Sequence, residues 1–390
     1  MDFEARIVHN GTVTTPEGFT AGAVNCGIKN GGQLDLGILY SEVPCVAAGV
    51  FTENKVKAAP VVLSQKHLFD GKAQAVVVNA GCANACTGEQ GDSDAADMTI
   101  LTAHKLVLAP EDIVVASTGV IGVNLPMDLI GRGISKIVLE PNGGHDLAMA
   151  IMTTDSCSKE VAVDIGGIKI GGIAKGAGMI HPDMATMLSL ITTDADVEPE
   201  FLLKALKNAV DASFNMISVD GDTSTNDMVV VQANGLAGKP KPEDFAMALQ
   251  AVCTYLAKCI ASDGEGCTRL IEVKIEKAKN AEEARIAART VASSTLVKTA
   301  MHSGDPNWGR IIAAIGRCGV DFVESKVDLY LNDVCILKSG HAQSLVRKRE
   351  IITGDEACIT VCLNLGKSEA TAWGCDLSEE YVTINSEYTT

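Results

Sequence analysis

Pro182 interrupts the string Lys175-Gly-Ala-Gly-Met-Ile-His-Pro-Asp-Met-Ala-Thr-Met-Leu-Ser-Leu-Ile191 and forbids a regular helix across it. The glycine run before it ends at Gly178, and the residues after it, Met187 to Ile191, are largely apolar and suit a short strand. Any fold of this chain must therefore bring a flexible loop to the mouth of a strand, with the Ala185-Thr186 bond at the junction. On the residues alone a threonine there is a structural hydroxyl; the residue type would also allow it to attack the preceding carbonyl, shift the acyl group from N to O, and leave an ester for water to open. The α-amine so released has a reference pKa of about 7.7–8.0 and lies beside the hydroxyl whose proton it can take.

At 390 residues the chain exceeds one ordinary core, so two or three domains sharing a large interior are expected. Hydrophobic residues make up 47% and charged ones 21%, a globular balance that excludes disorder. A net charge of −17 argues against nucleic acid or an anionic membrane as partner, since both require a basic face. Small anionic substrates would then need local cations. The N-terminal Met1-Asp-Phe-Glu-Ala-Arg6 lacks the apolar core of a secretion signal, and no uninterrupted apolar run approaches the roughly 18 residues that span a bilayer. A cytoplasmic protein is expected. The 13 cysteines are odd in number and scattered through apolar segments, which points to buried, reduced thiols rather than a disulfide scaffold. Cys82 and Cys86 are spaced like half a zinc site, but no second pair follows at finger spacing, so no metal is expected.

Along the chain, strand-like runs occupy Leu36 to Tyr40, Cys45 to Thr52 and Ala73 to Asn79. A loose amphipathic helix over Ala95 to Leu108 stops at Pro110. Ile113-Val-Val-Ala-Ser-Thr-Gly-Val-Ile-Gly122 reads as a strand ending on Ser-Thr-Gly, where Thr118 offers a hydroxyl and Gly119 a backbone N–H. Helix signals recur from Leu125 to Leu139. Glu160 to Ile165 and Ile168 to Ala174 form a hairpin over Gly166-Gly167 and deliver Lys175, the one cation in a glycine-rich surround. Pro199 opens an amphipathic helix with Leu203, Leu206, Val210 and Phe214 on one face, and Phe245 to Ile260 forms another through Leu249, Val252 and Leu256. The acidic string Ser218 to Asp227 lacks the spacing of a calcium loop. From Ile271 the pattern changes to strand (271 to 276), helix (282 to 297), loop, then short strands from 324 to 373, with a boundary near residue 280. The alternating tail Tyr381-Val-Thr-Ile-Asn-Ser-Glu-Tyr-Thr-Thr390 reads as a strand.

The string around Thr186 resembles the self-cleavage site of the ornithine acetyltransferase family (glutamate N-acetyltransferase), which recycles acetyl groups in arginine biosynthesis. The resemblance continues in order along nearly the full length, through Ala150-Ile-Met-Thr-Thr-Asp-Ser156, Ser262-Asp-Gly-Glu-Gly-Cys-Thr-Arg269 and the C-terminal tail. One departure is Cys82, where the family usually has Asn. The resemblance implies an α/β fold with a layered α-β-β-α core like that of N-terminal nucleophile enzymes and a smaller C-terminal α/β domain, divided as 1–280 and 281–390, the tail returning to the active site. It implies cleavage between Ala185 and Thr186 into fragments 1–185 and 186–390, assembled as a heterotetramer. Thr186 is the implied nucleophile, Thr118 and Gly119 the oxyanion hole, and Thr153, Lys175, Thr186, Glu265, Asn385 and Thr390 the substrate-binding set. The implied reaction is ping-pong transfer of acetyl from N-acetylornithine to glutamate, with no cofactor; some members also accept acetyl-CoA. Two rival readings are a self-processing aminopeptidase or amidase with water as acceptor, and a binding or assembly protein that does not cleave itself.

Overall fold

The computed structural model describes residues 5–181, 187–344 and 351–387. The first part of the chain runs β1 (Arg6–Ile7), β2 (Phe19–Val24), β3 (Leu36–Phe51), α1 (Ala59–His67), β4 (Lys72–Cys82), α2 (Gly88–Leu106), β5 (Ile113–Val120), α3 (Met127–Lys136), α4 (Gly144–Ile151), β6 (Lys159–Asp164) and β7 (Lys169–Lys175). Next come β8 (Leu188–Ala195), α5 (Pro199–Asp211), β9 (Ile217–Ser218), β10 (Met228–Gly238), α6 (Pro242–Ser262) and β11 (Leu270–Ala278). The remainder comprises α7 (Ala281–Ala292), α8 (Thr295–His302), α9 (Trp308–Gly316), β12 (Asp328–Leu331), β13 (Val334–Lys338), β14 (His341–Ala342), β15 (Glu356–Cys362), β16 (Ser368–Cys375) and α10 (Glu379–Glu387).

Among the described residues the strands form a nine-stranded and a seven-stranded sheet. In the first, β3 is the pivot. The two runs expected at Leu36 and Cys45 are one 16-residue strand whose register slips between Tyr40 and Cys45, around Pro44. Proline cannot donate to the ladder, so it sits where the pairing is already broken. Before the slip β3 pairs with β2 and β4; after it, Cys45 and Val46 still pair with β4, and Val46 to Phe51 pair with β10. The sheet thereby folds over on itself. Leu39, Val76 and Val78 of one half pack with Ile173, Leu188, Leu190 and Val230 of the other. On the outer face of the first half, Val77, Ile113 and Val115 pack with Met98 of α2 and Ile130 of α3. On the outer face of the other half, Ile191, Val229 and Val231 belong to a core that includes Leu202 and Leu206 of α5 and Leu249 and Val252 of α6. These are four layers, helix, sheet, sheet, helix. The core of α5 and α6 continues into the second sheet, ordered β14-β13-β12-β15-β11-β16-β9. Within it β11 lies between β15 and β16, so strands from both sides of residue 280 share one ladder.

Some local expectations change. Pro199 does start α5, but the buried face is Leu202, Leu206 and Val210; Leu203 faces out, and Phe214 lies in a separate single turn. The helix expected over 282 to 297 is two helices, parted at Ser293 and Ser294, where the Ser293 hydroxyl bonds back to the Arg289 carbonyl at 2.8 Å. The C-terminal strand is instead the helix α10, which begins on Glu379 and Glu380, charges that suit a helix N-terminus. Helix α6 has the length and apolarity of a bilayer span, yet Phe245, Leu249, Val252, Leu256 and Ile260 are all buried in the core. The thirteen cysteines are free thiols, and although most are at least partly buried, Cys86 and Cys157 are exposed.

Candidate active site

Strands β4 and β5 run parallel and place Ala80 opposite Thr118 and Gly81 opposite Gly119, where the ladder slips. Gly119 has φ +128°, and a Cβ there would stand 2.3 Å from the Gly81 carbonyl carbon. Only glycine lets the two backbones approach so closely at that φ. Thr118 is buried beside it. The slip is held by Asn79, which donates to the Cys82 carbonyl at 2.9 Å and accepts from the Ser117 hydroxyl at 2.6 Å.

The acidic string 218–227 buttresses this point. Asn226 donates to the carbonyls of Ala83 and Ser117 at 2.6 and 2.9 Å. Its neighbour Asp227 is fully buried and accepts from the N–H of Met187 at 3.0 Å. The string thus joins the end of β5 to the residue that precedes β8. Burial pushes the Asp227 carboxyl well above the usual carboxylate range, against the opposing pull of the Met187 N–H and the Lys175 ammonium.

Lys175 ends β7 opposite Leu188 of β8, nearly inaccessible to solvent. Its Nζ donates to Thr153 Oγ1 at 3.2 Å. Burial lowers its pKa, with Asp155 and Asp227 holding the charge in part. Asp155 organises the neighbourhood: its carboxylate accepts from Thr153 N–H at 2.9 Å, Gly176 N–H at 2.6 Å and Lys159 Nζ at 2.7 Å. Lys159 also reaches Asp263 at 2.5 Å, which anchors the next loop. Two residues on, Glu265 donates its N–H to Ala177 at 2.9 Å, and its carboxylate lies so near Gly178 that a Cβ there would sit 2.5 Å from it. From α10, Asn385 Nδ2 donates to Glu265 Oε2 at 2.7 Å.

Three chain segments, around Asp155, Asp227 and Glu265, therefore meet the stretch 176–178 or Met187 directly, and α10 joins them through Glu265. An ammonium, Lys175, and a carboxylate, Glu265, flank the stretch, as recognition of an amino acid's opposite charges requires. Of the residues expected from the sequence, Thr118 and Gly119 come together at the end of β5, Thr153 meets Lys175, and Glu265 meets Asn385; Ala185, Thr186 and Thr390 lie outside the described residues. Sequence reading missed Asp155, Lys159 and Asp263 as an ion cluster and Asp227 as the anchor of Met187. Only the spacing of Asp155 and Lys159 was visible; Asp263 is 104 positions from Lys159 and carries no local signal. Among the described residues no group of three or more His, Cys, Asp or Glu side chains is disposed to hold a metal. A separate cavity of about 750 Å³, lined in part by His9, Asn142, His145 and Tyr255, contains none of these site residues.

The ArgJ family model matches residues 20–390. The chain is 53% identical to the arginine biosynthesis bifunctional protein ArgJ of Dehalococcoides mccartyi, over 98% of each chain. It is 51% identical to the protein of the same name from Symbiobacterium thermophilum, over 97% of this chain and 99% of that one. A solved structure of ornithine acetyltransferase complexed with ornithine, from Mycobacterium tuberculosis, is 39% identical with a TM-score of 0.44, covering 46% of this chain and 98% of that one.

Proposed function

Since the chain belongs to the ArgJ family, the bifunctional proteins of arginine biosynthesis, we propose that it moves the acetyl group of N-acetylornithine to glutamate through an ester on Thr186. Maturation comes first. Thr186 Oγ attacks the Ala185 carbonyl, the peptide C–N bond gives way to a C–O ester, and water opens the ester to leave a carboxylate on Ala185 and a free amine on Thr186. The products, 1–185 and 186–390, stay paired and assemble as a heterotetramer in the cytoplasm.

In turnover the Thr186 amine takes the Oγ proton as Oγ attacks the acetyl carbonyl. The Thr118 hydroxyl and Gly119 N–H receive the developing oxyanion, the amide C–N bond breaks, and the proton passes to ornithine as it leaves. Glutamate's amine then attacks the ester by the same steps reversed, giving N-acetylglutamate and restoring Thr186. One nucleophile serves both halves because each swaps an amine and the Thr186 oxygen on the same acetyl carbonyl, the second half being the reverse of the first. Acetyl-CoA enters the same scheme as an alternative donor, with a thiol in place of ornithine.

The observation that carries this reading is the pairing of Lys175 with Thr153 on one side of Gly176–Gly178 and Glu265 with Asn385 on the other. Lys175 suits a substrate carboxylate and Glu265 the ammonium of ornithine; Thr390 is placed with them from the resemblance. Incubation with N-acetylornithine and no coenzyme A should add one acetyl group to the fragment that begins at Thr186, seen by mass spectrometry and removed on adding glutamate. Ornithine release without any acetylated fragment, or an ester that only water discharges, would overturn it. Thr118→Ala should slow both self-cleavage and ornithine release, by roughly 100- to 1000-fold for the loss of one oxyanion donor; wild-type rates in a gel time course would remove Thr118 from the mechanism.

A further inference from the structure

The exchange poses a charge problem that Glu265 and Lys175 leave unsolved. Ornithine and glutamate share an α-amino acid head, but one ends in an ammonium and the other in a second carboxylate. A site with Lys175 for the shared carboxylate and Glu265 for the ammonium offers the second carboxylate only repulsion. We propose that Lys29 is the cation that takes it. This assignment rests on the acetyl-transfer reading above.

The chain builds Lys29 into place with some care. Between β2 and β3 the carboxylate of Asp35, itself fully buried, accepts from four successive amides: Cys26 at 2.7 Å, Gly27 at 3.0 Å, Ile28 at 2.7 Å and Lys29 at 3.1 Å. Such a nest fixes the loop backbone and hence the direction of the Lys29 side chain. Its stem lies across Gly81, where an added Cβ would come within 3.2 Å of Lys29 Cγ. Gly81 is the residue whose backbone touches Gly119, so one residue separates the stem from the proposed oxyanion hole.

The ammonium then reaches the other side of the site. Nζ donates to the carbonyls of Ala150 at 3.1 Å and Met152 at 2.8 Å, immediately before Thr153. An ammonium has three donors, and these two bonds leave one. Burial lowers the Lys29 pKa, Asp35 and Asp155 hold the charge, and Lys175 opposes it. Two ammonium groups thus face the Thr153 string within electrostatic reach of each other. Two cations so placed repel in the empty site and are relieved by a ligand with two carboxylates. A cap on the C-terminus of α4 would account for the two carbonyl bonds alone. It predicts no preference between acceptors, and that difference is measurable.

The test compares acceptors on one acetyl-enzyme. In wild type and Lys29→Met, discharge by glutamate is measured against discharge by isotopically labelled ornithine, together with acetylation of Thr186 by N-acetylornithine. A charge-assisted hydrogen bond of ordinary strength corresponds to about 10- to 100-fold in affinity. The KM for glutamate should therefore rise at least about tenfold more than that for ornithine, and Lys29→Arg should recover part of the difference. Lys29→Gln, whose neutral amide keeps two N–H donors for the α4 carbonyls but no charge, serves if the methionine variant does not mature, and the same ratio is expected. Equal shifts for both acceptors, or none, would overturn the role of Lys29 while leaving the acetyl-transfer reading intact. Failure of the wild type to form acetyl-Thr186 would overturn both.

Discussion

Thr186→Ala is expected to remain a single full-length band on a denaturing gel under all conditions and to release ornithine roughly ten-thousand- to a million-fold more slowly than the wild type. The proposed mechanism uses one oxygen twice, first against the chain's own Ala185 carbonyl and then against substrate, so one substitution abolishes both events. Thr186→Ser separates the hydroxyl from the methyl group: it should still cleave and still transfer acetyl, more slowly, because serine Oγ can occupy the same position with more freedom. The Asp227 to Met187 bond explains why position matters, since it pins the first described residue beyond Thr186 to a wall shared with Ser117. Fragments of normal size and normal acetyl transfer from the alanine variant would dismiss Thr186 as the nucleophile.

The second large effect is on stability. Lys159→Met should destabilise the protein by about 3–5 kcal/mol, the usual cost of removing one partner from a buried ion cluster. The side chains of Asp155 and Lys159 are wholly inaccessible and that of Asp263 is 8% exposed, so the variant would leave two carboxylates in the interior without their cation. Burial by itself would raise the Asp155 pKa, but Lys159, Lys175 and the Gly176 N–H outweigh it and hold the carboxyl below its ordinary value. A carboxyl depressed in the folded state contributes stability above its unfolded pKa of about 3.9 and loses it as pH falls through the folded value. The wild type should therefore lose this contribution on acidification. In the variant the Asp155 pKa rises, so the deficit should be largest at neutral pH and shrink towards pH 4, as read from denaturant midpoints at both values. An equal deficit at both would mean that lost packing, not charge, is responsible. Asp155 also orients the backbone of Thr153 and Gly176, so the variant that does fold should mature slowly.

Much of the architecture was legible because it depends on local periodicity. The apolar run at Ala73 became β4, the Gly166-Gly167 hairpin became β6 and β7, the helix signalled at Pro199 became α5, and the one expected over Phe245 to Ile260 lies within α6. The helices bury a face that the sequence marks at period 3.6, whereas β4 is buried on both faces and shows as an unbroken apolar run. The tail was misread for a physical reason: Tyr381, Val382, Thr383 and Ile384 alternate like a strand, but a strand needs an edge to pair with. Val382 is 65% exposed and no sheet edge receives it. A helix satisfies its backbone internally, and it turns Asn385 towards Glu265.

From the sequence alone came the family, the residue types of the reaction, and most strands and helices, since all of these are carried by short strings and by periodicity. Tertiary structure decided what is adjacent to what. It bent β3 at Pro44 so that one sheet supplies both middle layers, set Gly119 against Gly81, joined Lys159 to Asp263, and laid Lys29 beside Met152. These contacts join residues far apart in sequence, and buried charges find partners only when the whole chain has folded around them; no local pattern of residues can encode such a meeting.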